Sequence, residues 1–134
     1  MDRVVWALED GSVKVDDSLF GRVNYLILET ADCDVRTYLS GMQDVDIAWL
    51  LRALHHIATG LMQLHQEGIA HQDAKPSNVL VFNGATSKIA DLGCASLKGT
   101  ASPRDDCAAA GDLRYAPPEL LYGCLLYTSP SPRD

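Results

Sequence analysis

The fold is decided by residues 71–78, which read His71-Gln72-Asp73-Ala74-Lys75-Pro76-Ser77-Asn78. This stretch places a carboxylate, a lysine and a side-chain amide close together, between a periodic segment and two short apolar runs. Polar groups on a loop that rigid elements support are where binding and catalysis usually take place. The segments on either side of residues 71–78 therefore predict how this loop is held.

The segment before the loop has the clearest period in the sequence. Its apolar residues recur at steps of three and four, and they are Ile47, Leu50, Leu51, Leu54, Ile57, Ala58, Leu61 and Leu64. This spacing predicts a long helix whose apolar face other elements must cover. Asp44 or Asp46 can cap its start, and Gly68 lies just past its end. Three histidines are expected on the edges of this helix, namely His55, His56 and His65.

The segment after the loop predicts a hairpin. Residues 79–82 and 88–90 are short apolar runs on either side of Asn83-Gly84, and Asn-Gly in this setting is the strongest short-range hairpin signal. Because a hairpin returns the chain to where it started, Asp91 is expected beside Asn78.

The N-terminal part predicts two antiparallel strands and a short helix. Residues 4–8 and 23–29 are rich in apolar, β-branched and aromatic side chains, which favour strands. Glu9-Asp10-Gly11 is interpreted as a turn that ends the first strand. Residues 34–39 predict a helix that begins behind its leading aspartate and ends near Gly41.

The composition excludes several classes of function. The chain carries 18 Asp plus Glu against 11 Lys plus Arg, a net charge of −7, so it lacks the broad basic face that nucleic acids require. No apolar run approaches the roughly 18 residues of a membrane helix. The cysteines form no CxxC pair, which favours reduced thiols and a cytoplasmic location over a metal or disulfide framework, and they are Cys33, Cys94, Cys107 and Cys124.

Four polar residues together suit phosphoryl transfer. The amide oxygen of Asn78 and the carboxylate of Asp91 are the hard ligands that Mg²⁺ prefers. Lys75 offers a positive charge for a phosphate, and Asp73 can accept a proton from a hydroxyl.

Three motifs in this order resemble those of protein kinases. HQDAKPSN at residues 71–78 resembles the catalytic loop, written H-R-D-x-K-P-x-N in serine/threonine kinases. DLG at residues 91–93 resembles the magnesium-binding D-F-G motif. GDLRYAPPE at residues 111–119 resembles the end of the activation segment, with Pro117-Pro118-Glu119 at A-P-E. The resemblance covers residues 3–123 and implies an α+β, two-lobed kinase fold, of which this chain has the end of the small lobe and the first half of the mainly α-helical large lobe.

The resemblance also assigns roles to the residues of the loop. It implies that Asp73 is the catalytic base and that Lys75 contacts the transferred phosphate, a lysine that favours the serine/threonine class. Asn78 and Asp91 would hold Mg²⁺. His71 would be structural rather than a base.

Four further residues would bind the nucleotide by the same resemblance. Leu28 would guard the back of the pocket, and the backbones of Glu29 and Ala31 would bind adenine. Leu80 would pack beneath the adenine ring. The implied cofactors are ATP and Mg²⁺, and the implied partner is a protein with a serine or threonine hydroxyl.

Two departures from the family pattern keep other functions open. Gln72 replaces the arginine that binds the phosphorylated activation loop in many kinases. Asp112 replaces the usual threonine and adds a negative charge near Asp73. The alternatives are a pseudokinase or binding module, and a small-molecule kinase of the same superfamily.

The resemblance also implies that the chain is the central piece of a larger domain. The glycine-rich phosphate loop, the strand lysine and its helix glutamate would precede Met1, so the piece is expected to be inactive alone. The large-lobe helices that supply the arginine partner of Glu119 would follow residue 123. Residues 124–134, CLLYTSPSPRD, resemble translated adapter sequence and are expected to be non-native.

Overall fold

The computed structural model describes residues 1–15, 21–44, 46–101, 111–116 and 118. The strands are β1 (Ala7–Lys14), β2 (Arg22–Leu28), β3 (Cys33–Asp34), β4 (Ile69–Ala70), β5 (Val79–Phe82), β6 (Thr86–Ile89) and β7 (Ser96–Leu97). The helices are α1 (Val35–Ser40) and α2 (Ile47–Gln66), with single 3-10 turns at Pro76–Asn78, Leu92–Cys94 and Leu113–Tyr115. Within the described residues these strands form three small antiparallel sheets, with strand orders β1-β2, β3-β5-β6 and β4-β7. This architecture confirms the expected α+β class.

The antiparallel pairing of β1 and β2 is confirmed, but the predicted turn at Glu9-Asp10-Gly11 is wrong. β1 continues through these residues, and Gly11 lies opposite Tyr25. The chain reverses only after Lys14, and Val15 N–H donates to the carbonyl of Gly21 at 3.2 Å. Pairing with β2 continues beyond the Asp-Gly dipeptide, so cross-strand hydrogen bonds override the local turn preference.

Both helices begin at aspartate caps, as predicted. The Asp34 carboxylate accepts from Thr37 N–H at 2.9 Å, and the Asp46 carboxylate accepts from Trp49 N–H at 3.1 Å. These bonds satisfy backbone donors that the first turn of a helix leaves without partners. Gly41 follows α1, as expected. No helix in the described part of the chain combines the length and apolarity needed to span a membrane.

The buried face of α2 matches the predicted face only in part. Its buried residues are Trp49, Ala53, His56, Gly60 and Leu64. Leu51 and Leu54, which belong to the predicted stripe, are 63% and 60% exposed. The reason is that Trp49 and Ala53 pack with Val35 of α1 and Val79 and Val81 of β5. At the other end Leu64 packs with Val4 and Ile89. Of the predicted stripe, Leu64 is buried, and Leu50, Ile57 and Leu61 are half-buried against the core. The prediction is therefore confirmed in part, and the centre of the buried face lies on the side of Trp49 and Ala53.

His56 also departs from its expected place on a helix edge. His55 and His65 are exposed, but His56 is buried, and its Nδ1 accepts from Ser87 N–H at 3.2 Å. Burial, aided by nearby positive charges, lowers the pKa of the His56 ring. The side chain is thus a neutral link between α2 and β6.

The Asn83-Gly84 hairpin is confirmed, and both helices hold its turn. The loop has three residues, and Ala85 N–H donates to the Phe82 carbonyl at 3.2 Å. Asn83 and Gly84, the central residues of this turn, have the positive φ values of 51° and 63° that their residue types favour. The Gly84 carbonyl accepts from Trp49 Nε1 at 2.9 Å and from the Tyr38 hydroxyl at 3.1 Å. The rings of Tyr38 and Trp49 stack with centroids 4.6 Å apart. The hairpin that precedes Asp91 is therefore fixed at its far end.

His56→Ala is expected to lower the free energy of unfolding by about 1–3 kcal/mol, because it leaves the buried Ser87 N–H without its acceptor. His56→Asn retains an acceptor and should lose less. Urea denaturation followed by circular dichroism measures both effects. His55→Ala is the matched control on the exposed neighbour and should change stability by no more than about 0.5 kcal/mol. Equal effects of the two alanine variants would contradict this role.

Stability should also depend on pH through His56. Its pKa is lower in the folded state than in the unfolded chain, so the unfolded state binds the extra proton first. The stabilisation is therefore complete above the unfolded pKa of about 6.5 and declines as pH falls through that value. Between pH 7.5 and 5.5 the wild type should lose more stability than His56→Asn. Parallel pH profiles of the two proteins would exclude this contribution.

Candidate active site

The loop at residues 71–75 is fixed from within by His71. It runs from β4 to the 3-10 turn that leads into β5. The His71 ring is 3% exposed, and its Nδ1 accepts from Asp73 N–H at 3.3 Å. Its Nε2 therefore carries the proton and donates to the Ala90 carbonyl at 2.9 Å. Both ring nitrogens are engaged, which agrees with a structural role and leaves no nitrogen to act as a base.

The Asp73 carboxylate accepts hydrogen bonds from three parts of the chain. Lys75 Nζ and Asn78 Nδ2 lie 2.8 and 2.9 Å from Oδ2, and Asp112 N–H lies 2.8 Å from Oδ1. Burial by itself would raise the pKa of Asp73, but these bonds outweigh it and lower the pKa below its ordinary value. Asp73 is thus an ionised acceptor whose orientation is fixed by its donors.

Lys75 is the cation of this site. Its hydrogen bond to Asp73 is the main reason that the pKa of Lys75 is raised, and the carboxylates of Asp112 and Asp91 add to the effect. The ammonium is therefore charged and close to several carboxylates. A phosphate that entered here would meet a positive group already in place.

The hairpin brings Asn78 and Asp91 together, as the sequence predicted. Ala90 N–H donates to the Asn78 carbonyl at 2.8 Å, which places Asp91 one residue beyond this contact. Asn78 is buried, whereas Asp91 is exposed, with φ of 59° and with Oδ1 accepting from Gly93 N–H at 3.2 Å.

These donors fit Mg²⁺ by their chemistry. Mg²⁺ usually takes only a few ligands from the protein, and phosphates and water complete its coordination. An amide oxygen and a carboxylate are suitable protein ligands for such a site. The described residues contain no cluster of three or more His, Cys, Asp or Glu that would hold an ion without such help.

The extra negative charge of Asp112 is paired, which the sequence did not predict. Arg114 places Nε 3.0 Å from Oδ1 and Nη2 2.6 Å from Oδ2 of Asp112. This fork lowers the pKa of Asp112 far below its usual value. Lys75 bonds to Asp73, so Arg114 rather than Lys75 is the side-chain partner of Asp112. The Asp-Leu-Arg spacing was the only signal for this pair in the sequence.

Gln72 makes a neutral contact where many kinases carry an arginine. Its backbone is left-handed, with φ of 62°, and its Nε2 donates to the Ser96 hydroxyl at 2.5 Å. Ser96 is buried in β7, so this bond links the loop to the segment that follows DLG.

The predicted nucleotide residues lie on a separate part of the structure. Leu28 ends β2 and is 42% exposed, and Glu29 and Ala31 follow it, both half-buried. Leu80 is half-buried on β5, opposite Lys88 of β6. Lys88 Nζ lies 2.7 Å from each carboxylate oxygen of Glu29, a contact that the sequence reasoning missed. Through Lys88, Glu29 is tied to β6, the strand that pairs with Leu80 of β5.

An apolar cleft of about 270 Å³ lies on another side of the loop, between α1, α2 and the Pro76–Asn78 turn. Its rim includes Lys75 and Asn78. The residues assigned to the nucleotide do not line it, namely Leu28, Glu29, Ala31 and Leu80. This cleft is therefore distinct from the predicted adenine pocket. The expectations for Pro117, Glu119 and residues 124–134 lie outside the described residues.

Comparison with known proteins gives a consistent result. The chain is 38% identical over 96 residues to a Wee1-like protein kinase of Oryza sativa subsp. japonica, covering 72% of this chain and 18% of that protein. It is 34% identical over 107 residues to cyclin-dependent kinase 1 of Encephalitozoon cuniculi, a match that covers 77% of this chain and 36% of that protein. It is 32% identical over 103 residues to serine/threonine-protein kinase stk11 of Xenopus laevis, a match that covers 74% of this chain and 24% of that protein.

The matches thus span between 18% and 36% of the length of these three relatives. Residues 16–131 match the family described as "Protein kinase domain", a range that includes most of the tail at residues 124–134. Members of this family generally use ATP and Mg²⁺. The matched range contains the loop at residues 71–78, the DLG motif and residues 111–116, and the chain therefore belongs to the protein kinase family.

Proposed function

We propose that this chain carries the catalytic loop and metal ligands of a serine/threonine protein kinase, which transfers the γ-phosphate of ATP to a protein hydroxyl. The observation that best supports this proposal is the Asp73 carboxylate, which is kept ionised by Lys75, Asn78 and Asp112 N–H. Such positioning and charge neutralisation are most of what phosphoryl transfer asks of a protein.

The proposed reaction divides the work among these residues. Asp73 accepts the hydrogen bond of the substrate hydroxyl and takes its proton as the oxygen attacks the γ-phosphorus of ATP. The bond from that phosphorus to the bridging oxygen breaks, and ADP leaves. Lys75 places positive charge beside the transferred group. Asn78 and Asp91 would hold Mg²⁺, which when bound neutralises the phosphates of ATP.

The serine/threonine class is the finer part of the proposal. Lys75 lies two residues after Asp73, as in the serine/threonine catalytic loop, and stk11 of Xenopus laevis is a serine/threonine-protein kinase. The Arg114 fork on Asp112 also removes the main electrostatic objection to catalysis. A cytoplasmic location belongs to the proposal, since the cysteines of the sequence form no CxxC pair and their spacing suggests no disulfide framework.

We further propose that activity belongs to a longer parent protein. The matches span at most 36% of the three relatives' lengths. Residues 1–123 would then be the hinge-to-activation-segment part of the domain, and residues 124–134 would be non-native. The chain alone should show negligible phosphoryl transfer.

Asp73→Asn in the full-length parent tests the enzymatic proposal. We expect transfer of labelled phosphate from ATP to a generic protein substrate to fall at least about 100-fold, because the general base is lost. Asp44→Asn is the control, since Asp44 is an exposed carboxylate away from the loop. A parent that transfers no phosphate, or an unchanged Asp73→Asn variant, would refute the enzyme and favour a binding module.

Gly111→Ala tests how Asp73 is held. Gly111 has φ of 81°, and an added Cβ would lie 2.6 Å from both Asp73 Oδ1 and the Gln72 carbonyl. The backbone must move, which breaks the bond from Asp112 N–H to Asp73. We expect kcat of the parent to fall about tenfold or more, since hydrogen bonds to charged groups contribute about 1.5–3 kcal/mol.

Gly99→Ala is the matched control for this variant. Gly99 also has a positive φ, 74°, but an added Cβ there would meet nothing within 4 Å. It imposes a similar backbone strain away from the site, so kcat should stay near wild type. Equal losses in both variants would show that strain, rather than the contact with Asp73, is responsible.

A further inference from the structure

A bridging ion pair joins the end of β2 to β6. Lys88 Nζ lies 2.7 Å from both carboxylate oxygens of Glu29, and the two side chains are only 17% and 24% exposed. Each partner has a second contact. Glu29 Oε1 accepts from Trp6 N–H at 2.8 Å, and Lys88 Nζ lies 4.8 Å from the centre of the Phe82 ring. These additional contacts distinguish the pair from a loose surface salt bridge.

The charges of the pair support each other. Burial would raise the pKa of Glu29, but the hydrogen bonds from Lys88 and from Trp6 N–H outweigh it and lower the pKa. Glu29 is therefore ionised at neutral pH, and its carboxylate has fixed donors. A fixed carboxylate also fixes the backbone that carries it.

The partners of this pair belong to two different sheets. Glu29 follows β2, which pairs only with β1 in the described part of the chain, and Lys88 lies in β6 of the β3-β5-β6 sheet. Near the start of β1, Val5 N–H donates to the Ile89 carbonyl at 2.8 Å. Strand β6 thus contacts both the segment that leads into β1 and the residue that follows β2.

Lys88 also lies centrally among the proposed nucleotide residues. It pairs across the sheet with Leu80, the proposed floor for adenine, and Asp91 follows three residues later. Its ammonium holds Glu29, whose backbone is proposed to bind adenine. One strand therefore connects the hinge, the adenine floor and the metal ligand.

The structure assigns Lys88 as a positioning residue that, through Glu29, sets the hinge backbone at a fixed distance from Leu80. This inference rests on the proposed nucleotide site. Lys88 does not need to contact ATP. Its effect is to restrict the conformations of the hinge before ATP binds, so that less conformational entropy is lost on binding. Neutralising it should weaken ATP binding while leaving the catalytic loop unchanged.

The first experiment measures the hinge without nucleotide. In Lys88→Met, which keeps the length of the side chain, amide hydrogen exchange at residues 28–32 should accelerate about two- to fivefold, the range expected for losing a partly buried ion pair. Exchange at residues 71–78 should stay at the wild-type rate. Lys98→Met is the control, since Lys98 is an exposed lysine of the same chain. Unchanged exchange at residues 28–32 would overturn the assignment.

The second experiment measures ATP affinity in the full-length parent. Lys88→Met and Glu29→Gln, which keeps an acceptor for Trp6 N–H, should each weaken binding about two- to fivefold, raising KM for ATP more than they lower kcat. The double variant should bind no worse than either single variant, because both act through one contact. Additive losses, or unchanged affinity in Lys88→Met, would overturn the positioning role. A wild-type parent that binds no ATP would instead refute the proposed function.

Discussion

A nearly buried charge organises this structure. The Asp73 side chain is only 8% exposed, and an ionised carboxylate at that depth must be given hydrogen-bond donors. Its donors come from the loop itself, from the turn before β5 and from the segment after residue 110. Each donor is positioned by other contacts: His71 fixes the loop, the hairpin fixes Asn78, and Arg114 fixes Asp112. The need to solvate one carboxylate with protein groups thus connects segments that are distant in sequence.

Local signals in the sequence predicted the elements that deliver the site. The aspartate caps of both helices and the Asn83-Gly84 turn were predicted because each depends on a few adjacent residues. The return of Asp91 to Asn78 followed from the hairpin alone. Local signals failed where tertiary contacts compete with them. Glu9-Asp10-Gly11 became strand because β2 continues beside it. In α2 the contacts of Trp49 and Ala53 shifted the buried face, so that Leu51 and Leu54 of the predicted stripe are exposed.

The contacts that the sequence did not predict join charged or polar groups, most of which are distant in sequence. Glu29 and Lys88 are separated by 59 positions, and nothing in either local pattern indicates a partner. His56 looked like an ordinary helix-edge histidine, because only the approach of β6 gives its ring a buried N–H to accept. Arg114 is close to Asp112 in sequence, yet the fork depends on a turn that no periodicity reveals. Such pairs depend on how sheets and helices meet.

The two tryptophans lie in different environments, and this difference has a spectroscopic consequence. Trp6 is 58% exposed beside the β1-β2 sheet, whereas Trp49 is 5% exposed and donates to the turn of the β5-β6 hairpin. Their indoles therefore experience different polarity, with red-shifted emission from Trp6 and blue-shifted emission from Trp49. A single fluorescence spectrum carries separate signals from the β1-β2 strand pair and from the helix-anchored hairpin that leads to Asp91.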